Sequence, residues 1–291
     1  MFEGVFTALI TPFKENGDID EAALKKFVDF QIDNGVHGLL PMGTTGESPT
    51  LSHDEHIEVI RIVTKHVNKR CPVIAGTGSN CTREAINLTK RAGDCGADAS
   101  LQVAPYYNKP TQEGFYQHFM KIADNVDIPI IIYNIPGRTG KNIENSTMLR
   151  LAQHPNILGV KEASGNINQM MDLIAKKPQS FVVLSGDDNL TFPLMILGGR
   201  GVVSVASNLV PDRMAAFVGA ALKGNVEEAR KFHYELLPLF KALFIETNPI
   251  PVKAACALKG MVKEVYRLPL CPMAKENKEK LISVLREYKL L

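Results

Sequence analysis

No two cysteines in the 291-residue sequence stand as a CxxC pair, so the zinc and dithiol-redox readings have little support. The five cysteines present, Cys71, Cys81, Cys95, Cys256 and Cys271, are odd in number and irregular in spacing. Charge of one sign is lacking too. The net charge is +2, and the basic pairs Lys25-Lys26, Lys69-Arg70 and Lys176-Lys177 are scattered, which reads as solvated faces and gives no footprint for nucleic acid. No apolar stretch approaches the length of a membrane-spanning helix. The opening MFEGVFTALITPF has no basic segment leading into a long apolar one, so a reduced, cytoplasmic setting is expected. The first expected strand is not followed by a GxGxxG. Neither GxxxxGK[ST] nor HExxH occurs, so dinucleotide, P-loop and zincin chemistry lack their usual carriers.

What is there is ordinary in bulk and specific in pattern. Hydrophobic residues make up 45% and charged residues 22%, a composition typical of globular proteins. The chain is long enough for a substantial core without staples, as one large domain or two modest ones. Short apolar runs fall at residues 5–10, 38–41, 73–75, 99–104, 130–133, 157–160, 181–184 and 201–205. Most are near-continuous in Val, Ile, Leu and Ala, as strands covered on both faces are. Helical patterns lie between them, at 20–34, after Ser52, from Thr82, and at 111–125, 145–153, 166–176 and 189–197. From Pro211 onward the patterns are helical only, at 212–223, 226–245, 251–258 and 275–289. The expected fold is therefore α/β, a (β/α)8 TIM barrel over residues 1–224, followed by a C-terminal helical region over 225–291. A doubly wound sheet is the alternative, weakened by the missing glycine fingerprint.

In such a barrel the chemistry sits at the strand ends and the loops that follow. Lys161 ends the sixth run, NILGVKEAS. In a barrel mouth, desolvation can leave its amine neutral and nucleophilic, able to form an imine with a ketone. Tyr133 ends the fifth run, PIIIYN, where it can move protons to and from that imine. The loop Gly43-Thr44-Thr45-Gly46-Glu47-Ser48 follows the second run and offers backbone N–H groups and two hydroxyls to a small carboxylate. Arg138, in the loop past Tyr133, can grip a carboxylate with two parallel hydrogen bonds. Each has a plain structural alternative: a paired strand-end lysine, a rim aromatic, a tight turn, a solvated arginine. Asp187-Asp188 reads better as a helix cap than as a metal site, His53 and His56, three apart on one helical face, as two surface histidines, and Tyr106-Tyr107 as a lid or subunit contact.

Taken together, GTTGE at 43–47, YNIPGRTG at 133–140, VKEASGN at 160–166, SGDD at 185–188 and ETNPIPVK at 246–253 resemble the dihydrodipicolinate synthase family, within the N-acetylneuraminate lyase superfamily of class I aldolases. The resemblance runs from VFTALITPF to RLPL, nearly the whole chain. It implies condensation of pyruvate with L-aspartate 4-semialdehyde to 4-hydroxy-tetrahydrodipicolinate, the committed step towards diaminopimelate and lysine. It implies Lys161 as the imine-forming residue and Tyr133, Thr44 and Tyr107 as a hydroxyl relay, with Tyr107 reaching in from a neighbouring subunit. By the same resemblance Thr45 is expected in the pyruvate-carboxylate site, Arg138 at the carboxylate of the second substrate, and Gly186 and Val203 along the pocket. No metal or organic cofactor is implied.

The resemblance further implies a homotetramer, a dimer of dimers, and a feedback site for L-lysine at Ser48, His53, His56, Asn80, Glu84 and Tyr106. Pro49 departs from the small residue often found beside Ser48. Sugar-acid aldolases of the N-acetylneuraminate lyase and 2-keto-3-deoxygluconate types share the lysine, the tyrosine and the GTTGE-like loop. They form the alternative reading. PGRTG favours the synthase, because a short aldehyde with its own carboxylate needs a cation near that loop.

Overall fold

The computed structural model describes residues 2–291. Among these residues eight parallel strands alternate with helices: β1 Gly4–Ala8, β2 Gly38–Leu40, β3 Ile74–Gly76, β4 Ala99–Val103, β5 Ile130–Asn134, β6 Ile157–Glu162, β7 Val182–Ser185 and β8 Gly201–Ser204. They pair in the order β2-β1-β8-β7-β6-β5-β4-β3. The two ends of that order meet through a parallel bridge between Leu39 and Val73 and through the amide of Gly76 on the carbonyl of Pro41 (2.9 Å). The result is the expected (β/α)8 barrel. All eight strands fall on the apolar runs, with ends that are trimmed, shifted or extended by one or two residues.

Burial on both faces explains why these runs lack alternation. One core cluster fills the barrel itself, with Phe6, Leu40, Ile74, Leu101, Ile131, Leu184 and Val203 pointing inward and Tyr133 at its upper edge. Two further clusters lie between strands and helices.

The helices of the barrel are α1 Glu21–Asp33, α2 His53–Val67, α3 Thr82–Asp94, α4 Gln112–Ala123, α5 Pro136–Thr139, α6 Asn145–Leu151, α7 Ile167–Lys176 and α8 Thr191–Ile196. Helix α2 starts at a reciprocal cap. Ser52 Oγ accepts from the Glu55 amide (3.3 Å), while a Glu55 carboxylate oxygen accepts from the Ser52 amide (2.9 Å). The short α5, which carries Arg138, has too few residues for a periodic pattern and is not evident in the sequence. The expected helix at 189–197 is a 3-10 turn over Asp188–Leu190 that runs into α8.

Four helices complete the chain: α9 Pro211–Leu222, α10 Val226–Ala242, α11 Ile250–Leu258 and α12 Lys275–Glu287. Helix α9 packs on β1 and α10, and α11 packs on the turn after β8 and on α12. The segment leading into α11 crosses to the C-terminal ends of the strands, and this brings residues distant in sequence to the barrel mouth.

Candidate active site

The strand register sets the geometry. Tyr133 on β5 lies directly opposite Lys161 on β6, and the next pair is Asn134 with Glu162. Side chains alternate along a strand, so Tyr133 and Lys161 share the inner face while Asn134 and Glu162 share the outer one. Lys161 is buried, with its Nζ 4.0 Å from the centre of the Tyr133 ring. The outer pair is locked in a polar network. Asn134 Nδ2 donates to Glu162 (3.1 Å) and to Asn142 Oδ1 (2.9 Å), and Glu162 also accepts from the Ser164 amide (2.6 Å).

Burial is the main cause of a fall in the Lys161 pKa to about 7; the Asp188 carboxylate opposes the fall and the Arg138 guanidinium adds to it. A neutral amine is therefore available near neutral pH. Burial pushes the Tyr133 hydroxyl up to about 12, with Arg138 and the neighbouring Thr44 hydroxyl favouring its ionised form. The phenol thus stays protonated and can act as a donor near neutral pH.

Gly186 leaves room for the lysine. A Cβ there would lie 2.7 Å from Ala163 Cβ and 3.1 Å from Lys161 Cε. Val203 is buried inside the barrel, next to β1. Thr45 is buried, its hydroxyl accepting from Asn248 Nδ2 (3.0 Å). Arg138 is exposed at the mouth and donates to the Asn248 carbonyl (3.0 Å).

A cavity of about 410 Å³ opens beside this pair. Thr44, Tyr133 and Arg138 line it together with Ser48, His53, His56, Glu84 and Tyr106. Asn80 stands at its edge, donating to the Tyr106 carbonyl (3.2 Å). The two histidines differ. His53 is exposed, whereas His56 is buried with Nε2 on the Gly76 carbonyl (2.6 Å), and burial lowers its pKa to about 4. Tyr107 is not drawn into the cavity within one chain. It is 90% exposed on a left-handed backbone (φ 69°).

Asp187 does cap the turn after β7, accepting from the Asn189 amide (2.8 Å). Asp188 does something the sequence did not announce. It is buried, and its Oδ2 accepts from the amides of Val205 (3.0 Å) and Ala206 (2.9 Å). Burial raises its pKa to about 6. Asn248 and the buried ion pair of Lys253 with Glu47 also went unassigned in the sequence. The signal for Lys253 was a single charge in the otherwise uncharged helix IPVKAACAL.

Comparison with known proteins identifies the family. The dihydrodipicolinate synthetase family matches residues 1–288. This chain belongs to that family. The 4-hydroxy-tetrahydrodipicolinate synthase of Thermodesulfovibrio yellowstonii is 55% identical over the full length of both chains. The crystal structure of dihydrodipicolinate synthase from Aquifex aeolicus superposes with a TM-score of 0.98 at 51% identity, covering 99% of each chain. Two further structures of family members carry ligands. One is the chloride-inhibited enzyme of Acinetobacter baumannii complexed with pyruvate (TM-score 0.98, 43% identity, 100% of each chain). The other is the Cyanidioschyzon merolae enzyme with lysine bound (TM-score 0.97, 43% identity, 100% of this chain and 99% of that one). Membership places the chain among Schiff-base lyases of the class I aldolase type and favours the synthase over the sugar-acid aldolase reading.

Proposed function

We propose that this chain condenses pyruvate with L-aspartate 4-semialdehyde to 4-hydroxy-tetrahydrodipicolinate, with Lys161 as the imine-forming residue. The observation that carries the assignment is the buried Lys161 amine, 4.0 Å over the Tyr133 ring at the end of two paired strands. Its depressed pKa supplies the free amine that attacks the pyruvate ketone. Loss of water leaves a protonated imine, which draws electrons from the adjacent methyl carbon. Removal of a proton there gives an enamine, and its carbon attacks the aldehyde. Transimination by the amine of the second substrate then closes the ring and frees Lys161. Tyr133 and Thr44 stand where protons must move, and Tyr107 of a neighbouring subunit completes the relay in a homotetramer.

Thr45 and the Thr44–Gly46 backbone receive the pyruvate carboxylate, with Gly186 and Val203 shaping the pocket around it. Arg138 meets the carboxylate of the semialdehyde in a charge-assisted contact. L-Lysine binds in the part of the cavity lined by Ser48, His53, His56, Glu84 and Tyr106, with Asn80 at its edge. The five free cysteines fit a reducing cytoplasm.

Borohydride reduction in the presence of pyruvate tests the chemistry. A pyruvyl group reduced onto Lys161, and no labelling in Lys161→Ala, is expected. Labelling of another lysine would overturn the assignment. Condensation rates with aspartate semialdehyde and with sugar aldehydes, measured on the same preparation, separate the synthase from a sugar-acid aldolase.

A further inference from the structure

The most deeply buried opposite charges in the described chain sit just behind the reacting groups. Glu47 and Lys253 are 206 positions apart in sequence, and both side chains are fully excluded from solvent. Lys253 Nζ donates to Glu47 Oε1 and lies 4.1 Å from the centre of the Phe13 ring and 5.6 Å from that of Tyr266. The other Glu47 oxygen accepts from the Arg267 amide (3.4 Å). A buried ion pair adds little net stability, because desolvating both charges offsets their attraction. Its use must be sought in what it holds in place.

What it holds is the loop after β2. Glu47 has a left-handed backbone (φ 59°), an unusual state for a residue other than glycine. The loop turns on itself through the Gly46 amide on the Gly43 carbonyl and the Glu47 amide on the Thr44 carbonyl (both 3.1 Å). Thr11 fixes the Gly46 carbonyl from the β1 side (2.6 Å). From the other side one short stretch of chain, residues 248–253, grips it at alternate positions. Asn248 donates to Thr45, and Lys253 pairs with Glu47. With 45 and 47 tied back, Thr44 just ahead of them is left facing the cavity. The Asn248 carbonyl takes Arg138 as well, so the same stretch touches both proposed carboxylate sites.

We infer that Glu47 and Lys253 are positioning residues, an ion-pair latch by which the C-terminal helical region sets the geometry of the Thr44–Thr45 loop and hence its affinity for the carboxylate of the keto acid. This rests on the proposed function, and the test keeps the two apart. The full-length chain and its Glu47→Gln, Lys253→Met and doubly substituted variants are titrated with pyruvate, and borohydride labelling of Lys161 is followed by mass spectrometry beside steady-state kinetics. Half-saturating pyruvate should rise about tenfold in each variant, as expected when a positioned group is displaced by a fraction of an ångström. Labelling at saturation should stay within about threefold of the wild type, because Lys161 and Tyr133 are held by β5, β6 and the Asn134–Glu162 network.

The double variant carries no unpaired buried charge and should melt closer to the wild type than either single one. A folded double variant whose half-saturating pyruvate lies within twofold of the wild type would overturn the latch. If the singles and the double do not fold, hydrogen exchange on the wild-type chain decides. Pyruvate should slow exchange in 250–258 together with 43–47, and protection confined to 43–47 overturns the latch. A wild type that is not labelled at Lys161 removes the proposed function, and the latch with it.

Discussion

A lysine amine becomes a nucleophile only when its proton is gone, and at Lys161 burial in the barrel mouth does most of that work. Its pKa in the folded chain is about 7, below the ordinary value of 10.5, so the neutral amine is the minor form below pH 7 and the major form above it. The rate of imine trapping with pyruvate and borohydride should therefore rise with pH through about 7 and then level off. Asp188 favours the ammonium, and its own carboxylate is buried two residues past Gly186, which packs against the lysine stem. Replacing it by asparagine removes that charge with little change of shape. In Asp188→Asn the rise should move to lower pH. An unmoved profile would show that Asp188 acts on the β8 turn alone, through the amides of Val205 and Ala206.

Helices α2 and α3 frame the part of the cavity where L-lysine is proposed to bind. His53 opens α2, directly after the reciprocal cap, and Glu84 lies in the first turn of α3. Glu84 accepts from Ser79 Oγ (2.8 Å), and as an exposed carboxylate it remains open to an ammonium group. His56 has its Nε2 committed to the Gly76 carbonyl, so it contributes shape and a neutral ring edge rather than a charge. Tyr106 is tied through Asn80 to the loop ahead of α3 and precedes Tyr107, so a ligand held there would disturb the proposed relay by a small shift. Coupling of this kind amounts to about 1–3 kcal/mol, so partial inhibition is expected. Calorimetry should detect L-lysine binding to the wild type and a much weaker response in Glu84→Ala. No heat at millimolar lysine would remove the regulatory site and leave the Lys161 chemistry untouched.

At the scale of the molecule, the relay proposed for Tyr133, Thr44 and Tyr107 calls for a second chain. Tyr107 stands 90% exposed on a left-handed backbone, outside the lining of the cavity that Tyr133 borders, and a large aromatic held out in this way suits a site on a second copy. Inactive Tyr107→Phe and Lys161→Ala subunits, mixed and reassembled, should then regain part of the wild-type activity, because some sites receive an intact tyrosine and an intact lysine. Verified hybrids that stay inactive would mean that each site is built within one chain. The same scale explains the C-terminal helices. They are not an independent appendage, since Asn248, just ahead of α11, reaches Thr45 and Arg138, and Lys253 within α11 reaches Glu47 at the barrel mouth.

The apolar runs by themselves determined the barrel. A strand buried on both faces must be continuously hydrophobic, and eight such runs separated by helical patterns leave few other closed arrangements. The polar residues that interrupt those runs at their ends, Tyr133 and Lys161, were legible for the same reason: a charge or hydroxyl at the end of an apolar strand needs a purpose. Their pairing across β5 and β6 was not legible, because register is a property of two strands and not of either one. Nor was the role of Asp188, whose partners are main-chain amides with no sequence signature. The Glu47–Lys253 pair lay furthest out of reach. Its two halves are 206 positions apart, and only the folding of the C-terminal helices over the barrel mouth makes one charge the answer to the other.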